Sequence, residues 1–210
     1  MVEPFHFFTR LTQTELLNKK AKNIVELLKG IKTVPGSSIY YHTHRFLQQH
    51  HFLSPEPPND FAYWITNVLN EEALGEIILS IDIIQFGTIR ELRLKLASVI
   101  ENYLKGESSV TNCHKEEEFH FMACRLFVLQ TPYVATNIVE FRSALKKISI
   151  DSLYFHIFES RLRLEKGEND FSHWLKELGE AKIAERISQI DPYTYTLEGL
   201  KKEILSLIRK

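Results

Sequence analysis

The sequence predicts an all-α protein made of two tandem, pseudo-symmetric helical repeats, residues 1–105 and 117–210, joined by a linker over 106–116. Three observations carry that expectation. Apolar residues recur at helical spacing behind capping residues along most of the chain. Residue patterns of the first half return in the second, in the same order and mostly at an offset of 114. Between the halves lies Gly106 to Lys115, a small, polar stretch without periodicity.

Taken in order, Phe5-His6-Phe7-Phe8 alternates too briefly to separate a short strand from an apolar lead-in, so a short extended segment is allowed at the start of each repeat. Asn23 caps a first helix whose Ile24, Leu27, Leu28 and Ile31 share a face. Val34-Pro35-Gly36 stops it, because proline disfavours helical backbone in the residue before it. Ser37 or Ser38 caps a second helix expected to run to about Phe52, and Ser54-Pro55-Glu56-Pro57-Pro58 then forms a rigid loop. Asp60 is placed to cap a third helix with Phe61, Trp64, Ile65 and Val68. A fourth runs from Glu71 to near Asp82, and Thr88 caps a fifth with Leu92, Leu96, Val99 and Ile100 inward.

After the linker the pattern restarts. Phe119-His120-Phe121 repeats Phe5-His6-Phe7, and Asn137-Ile138-Val139-Glu140 repeats Asn23-Ile24-Val25-Glu26. Asp151 to His156 repeats Ser37 to His42, and Asn169-Asp170-Phe171-Ser172-His173-Trp174 repeats Asn59 to Trp64 after a four-residue deletion. The series Ser-Ile-x-x-His, Asn-Asp-Phe-x-x-Trp and Leu-Gly-Glu resembles a prokaryotic helical domain family of unknown function, present here once in each half. The resemblance implies a helical fold and brings no activity, cofactor or catalytic residue. The second half departs from the first at Phe158 and Glu159, which stand where the first has His44 and Arg45.

Composition removes several function classes. With 26 Lys and Arg against 27 Asp and Glu, evenly spread, there is no basic stripe to follow a phosphate backbone, so no nucleic-acid partner is expected. No apolar run approaches the roughly 20 residues a membrane span needs. Glu3 and His6 occupy the place of a signal peptide's basic and apolar regions, and two cysteines make no disulfide framework, so a cytoplasmic location is expected. No phosphate loop, Gly-x-Ser-x-Gly elbow or His-Glu-x-x-His motif occurs. No cofactor is expected.

The candidate site residues sort by whether both halves keep them. His42/His156, Asp60/Asp170 and Trp64/Trp174 recur, which a shared fold explains: His42 is expected to face its unit's core and tie the second helix to the third through Asp60. His44, Arg45, Gln48 and His51 occur once and are the candidates for a ligand or partner surface, with His44 turned toward solvent or a partner. The leading expectation is a non-enzymatic interaction or regulatory module for a protein or small-molecule ligand, with a homodimer among its states. The alternative is a metal-dependent hydrolase in which His42, His44 and Asp60 hold the metal, with His6 near and Arg45 binding an anion. A third reading is metal-free acid–base chemistry by His42 polarised by Asp60. The helix itself weighs against the metal, since residues two apart diverge by about 200°.

Overall fold

The computed structural model describes residues 2–48, 59–106, 110–160, 168–190 and 194–208, without the side chains of residues 45–48 and 84. The all-α expectation does not hold. The two short lead-ins are long strands, β1 (Phe5–Ala21) and β2 (Phe119–Ala135), which hydrogen-bond to each other as a two-stranded antiparallel sheet. His6 and Phe7 stand beside Gln130 and Thr131, whereas Glu15 stands beside Arg125, so the strands run in opposite directions. The physical reason for the error is exposure. Only Phe5 and Phe7, or Phe119, Phe121 and Ala123, alternate inward; beyond Arg10 in β1 and Cys124 in β2 both faces of each strand are largely open, and no period-two signal survives.

The helices follow each strand in the same order. After β1 come α1 (Ile24–Thr33), α2 (Gly36–Gln48), α3 (Asp60–Asn67), α4 (Glu72–Leu79) and α5 (Ile89–Leu104). After β2 come α6 (Ile138–Lys147), α7 (Ile150–Tyr154), α8 (Asp170–Glu177), α9 (Ala181–Ser188) and α10 (Leu197–Leu207). Most starts are capped as the sequence suggests: Asn23 accepts from the Glu26 N–H, Asn137 from the Val139 and Glu140 N–H groups, and Thr88 forms a capping box with Glu91. One cap moves by a residue. Asn59, not Asp60, caps α3, and Asn169 caps α8, so each aspartate sits just inside its helix with its carboxylate available to another partner. In the second half α7 passes into a turn of π-helix, Phe155–Glu159.

The compact units do not coincide with the sequence halves. The described residues within Met1–Leu11, Gln48–Ser54 and Leu126–Lys210 form one unit; those within Thr12–Leu47 and Pro55–Arg125 form the other. Each unit therefore contains one end of each strand. In the unit with α6–α10, Phe5 and Phe7 from β1 enter the core against Phe141, Phe171 and Trp174, with Phe5 ring centroids 5.4, 5.6 and 5.6 Å from those three. In the unit with α1–α5, Phe119 and Phe121 of β2 do the same, Phe119 lying 5.2 Å from Phe61 and 5.7 Å from Trp64. All four phenylalanines are buried, each contributing roughly 1.5–3 kcal/mol through removal from water. Trp64 and Trp174, expected as core, are each 5% exposed. No helix among the described residues is long and apolar enough to cross a membrane.

Candidate functional site

The histidines kept in both halves are where the strand ends are held. In the unit with α6–α10, His156 Nδ1 lies 2.8 Å from Asp170 Oδ2, and His156 Nε2 lies 2.9 Å from the backbone nitrogen of Phe8 in β1. An amide N–H can only donate, so Nε2 accepts and carries the lone pair, and Nδ1 carries the proton and donates to the carboxylate. The ring is thus assigned as the neutral Nδ1–H tautomer, with both nitrogens engaged. The Phe8 carbonyl accepts from the Ser152 hydroxyl at 2.6 Å, and the Trp174 indole N–H donates to the Glu3 carbonyl at 2.9 Å. The helices thus read the backbone of an extended segment by its donors and acceptors, while Phe5 and Phe7 fill the apolar space beneath.

The other unit repeats this arrangement on β2. His42 Nδ1 is 2.8 Å from Asp60 Oδ2, the Met122 N–H donates to His42 Nε2 at 2.9 Å, and the Trp64 indole N–H donates to the Glu117 carbonyl at 2.7 Å. The imidazole is buried in both units, at 4% exposure for His42 and 2% for His156. The aspartates differ: the Asp60 side chain is 58% exposed and that of Asp170 15%.

The sites differ most beside the clamp. Arg10 of β1 and Glu159 at the end of the π-helical turn form a buried ion pair, and the Arg10 guanidinium lies 4.1 Å from the centre of the Tyr154 ring. The position matching Arg10 is Cys124, whose thiol donates to the Ser37 carbonyl at 3.7 Å. Sequence reading missed Arg10 and Glu159. The usable signal was the departure at position 159: where one half has a cation, the other has an anion, which calls for a buried partner of opposite sign.

Of the residues singled out from the sequence, His42 and Asp60 come together, but His44 does not join them. His44 was expected at solvent or at a partner surface. Instead it is 4% exposed, stacked on Tyr40 with ring centroids 5.0 Å apart, with Nδ1 2.7 Å from the Thr43 hydroxyl. Burial pushes its pKa down from 6.5 to about 4, so it is neutral in the folded chain at pH 7. Tyr154 and Phe158 make the matching aromatic contact in the other unit, at 4.9 Å, which explains why phenylalanine serves at that position. The side chains of Arg45 and Gln48, and His51 with the proline-rich loop, lie outside the described residues. His6 is exposed and belongs to the compact unit that does not contain His42. Among the described residues no group of three His, Cys, Asp or Glu side chains is placed to hold a metal ion.

A general base needs an accessible lone pair, and in both clamps the Nε2 lone pair already faces a strand amide. Beside the His156 clamp an open cleft of about 560 Å³ is lined by Glu3, His6, Asp170, His173 and Glu177 over the edge of Trp174. His173 lies between Glu168 and Glu177, at 3.6 and 3.5 Å.

A family model described as a family of unknown function, DUF5752, matches residues 2–209. The chain belongs to this family. No protein with a curated description matches it. Among solved structures this DUF5752 chain is similar to one titled the structure of OrfY from Thermoproteus tenax. The two are 27% identical over 98% of this chain and 94% of that one, with a TM-score of 0.81. The match spans both clamped strand ends and the helices that hold them.

Proposed function

We propose that the protein is a non-enzymatic protein-interaction module, built from two copies of one helical unit, that offers the uncovered edge of β2 to an extended segment of a protein partner. The observation that carries this reading is the use made of the recurring histidines: each engages a strand amide through Nε2 and a helix aspartate through Nδ1, which leaves both of them with a scaffolding task. Among the described residues β2 pairs with β1 alone, so the strand that the scaffold holds in place has no strand neighbour on its other edge. Residues Leu126 to Leu129 are consecutive apolar residues, all exposed, with Phe127 at 47% and Val128 at 51%. Edge strands ordinarily carry charge, proline or a covering element at such places, because unpaired N–H and C=O groups template the addition of another strand.

A fluorescein-labelled peptide carrying the sequence of residues 125–131 is the direct probe. Saturable binding by the wild-type protein, lost on Val128→Pro, supports strand addition at this edge. A wild-type protein that stays monomeric and still leaves the peptide free at millimolar peptide removes the reading.

A further inference from the structure

We infer that the partner at the β2 edge is a second copy of this chain, paired antiparallel with the first about Val128; this rests on the strand-edge reading above. The phase of the strand decides which backbone groups are available. Alternate residues of a strand send N–H and C=O to the same side. The Met122 N–H points away from β1, since it donates to His42, and so the same side carries the backbone groups of Leu126, Val128 and Gln130. Pro132 falls in the same phase. A residue without an N–H is tolerated in a ladder where its nitrogen faces away from the paired strand, so its position agrees independently with the assignment. The edge is covered at one end, where His42 and the Ser37 carbonyl engage Met122 and Cys124, and blocked at the other by Pro132. Among the described residues the window left open between them is Leu126 to Gln130, and its midpoint is Val128.

A twofold pairing of identical strands imposes a condition that this window meets. The residue on the axis must lie opposite itself, and with Val128 facing outward the two copies exchange both N–H···O=C bonds there. In that register Phe127 lies opposite the partner's Leu129, an aromatic–aliphatic cross-strand pair, and Leu126 lies opposite the partner's Gln130. No charged residue falls inside the window, so no like charges meet. The matching window of β1 is guarded: it reads Thr12-Gln13-Thr14-Glu15-Leu16, its Glu15 pairs with Arg125, and Lys19 and Lys20 follow. Self-complementarity is thus confined to one edge, which gives a closed dimer and not an open chain of copies.

Sedimentation equilibrium on the full chain tests this. At ~100 µM we expect a mass twice 24.6 kDa, falling to 24.6 kDa in Val128→Pro and in Phe127→Lys, with far-ultraviolet circular dichroism unchanged in at least one of them. Under oxidation Val128→Cys gives a disulfide-linked dimer, because a hydrogen-bonded antiparallel pair spaces its Cα atoms about 5.5 Å apart. Leu126→Cys does not, since it meets the partner's Gln130. A dimer that survives both edge substitutions, or Leu126→Cys linking as readily as Val128→Cys, overturns the inference. A monomeric wild type that still binds the peptide probe removes the second copy and leaves the strand-edge reading standing. One that binds no peptide removes both.

Discussion

His44 shows how a residue can look functional and yet pack. It is polar, occurs in one half only and neighbours His42, but its ring lies flat on Tyr40 inside the unit with α1–α5. The consequence is a pH dependence with a definite sign. The folded pKa of about 4 lies below the ordinary 6.5, so the unfolded chain binds this proton more readily. The stability that comes from keeping the ring neutral is fully present above 6.5, declines as the pH falls through that value, and is gone near 4. Its size is on the order of 3 kcal/mol, from the separation of the two values. His44→Phe, which installs the residue found at the matching Phe158, is expected to flatten the acid limb of a stability–pH curve measured by urea denaturation. An acid limb as steep in the variant as in the wild type would place the sensitivity elsewhere. The pair Arg10 and Glu159 teaches the converse. These charged residues are buried as an ion pair against Tyr154, and no periodicity could announce that, because the partners are 149 positions apart.

Among the elements, helices were legible because their signals are local. Caps at Asn23, Thr88 and Asn137, the stop at Val34-Pro35 and the apolar stripes of α1 and α5 are all read within one or two turns of chain. The one-residue error at α3 arose because Asn59 and Asp60 are both good caps. The contact expected between His42 and Asp60 is present at 2.8 Å, but that the same ring also holds the Met122 amide is tertiary information. Strands were illegible for a different reason. A two-stranded sheet with both faces largely open has no buried side to impose alternation, and only the anchored ends carry apolar residues at period two. Those ends constrain the helices in turn. A Cβ added at Gly30 of α1 would lie 2.1 Å from the Phe121 ring. Gly30→Ala is therefore expected to destabilise by roughly 1–3 kcal/mol through overpacking, although alanine normally favours a helix by about 1 kcal/mol. A gain in melting temperature for this variant would show that Phe121 does not sit against α1.

For the whole molecule, a series of matched residues in the two halves was legible, but the sequence could not show that each compact unit takes its strand ends from both halves. That exchange lives in bonds such as Trp174 to Glu3, 171 positions apart. It predicts which part of the protein depends on the N-terminus. Deleting residues 2–10 removes Phe5, Phe7, Arg10 and the amide held by His156, all of which belong to the unit with α6–α10. Hydrogen exchange should then accelerate in α6, α7 and α8, while α1 and α5 keep their protection. Loss confined to α1–α5 would mean that the strand end serves the helices next to it in sequence.

The central claim is that the recurring histidines are clamps on strand backbone, and nitrogen-15 spectroscopy of the imidazoles tests it most directly. At neutral pH, His42 and His156 should each appear as the neutral tautomer protonated at Nδ1. A coupling across the hydrogen bond should join Nε2 to the Met122 amide in one case and to the Phe8 amide in the other. Rings protonated at Nε2, or Phe8 and Met122 amides that exchange as freely as those of an uncovered edge, would contradict the account and return His42 and Asp60 to the list of groups available for chemistry.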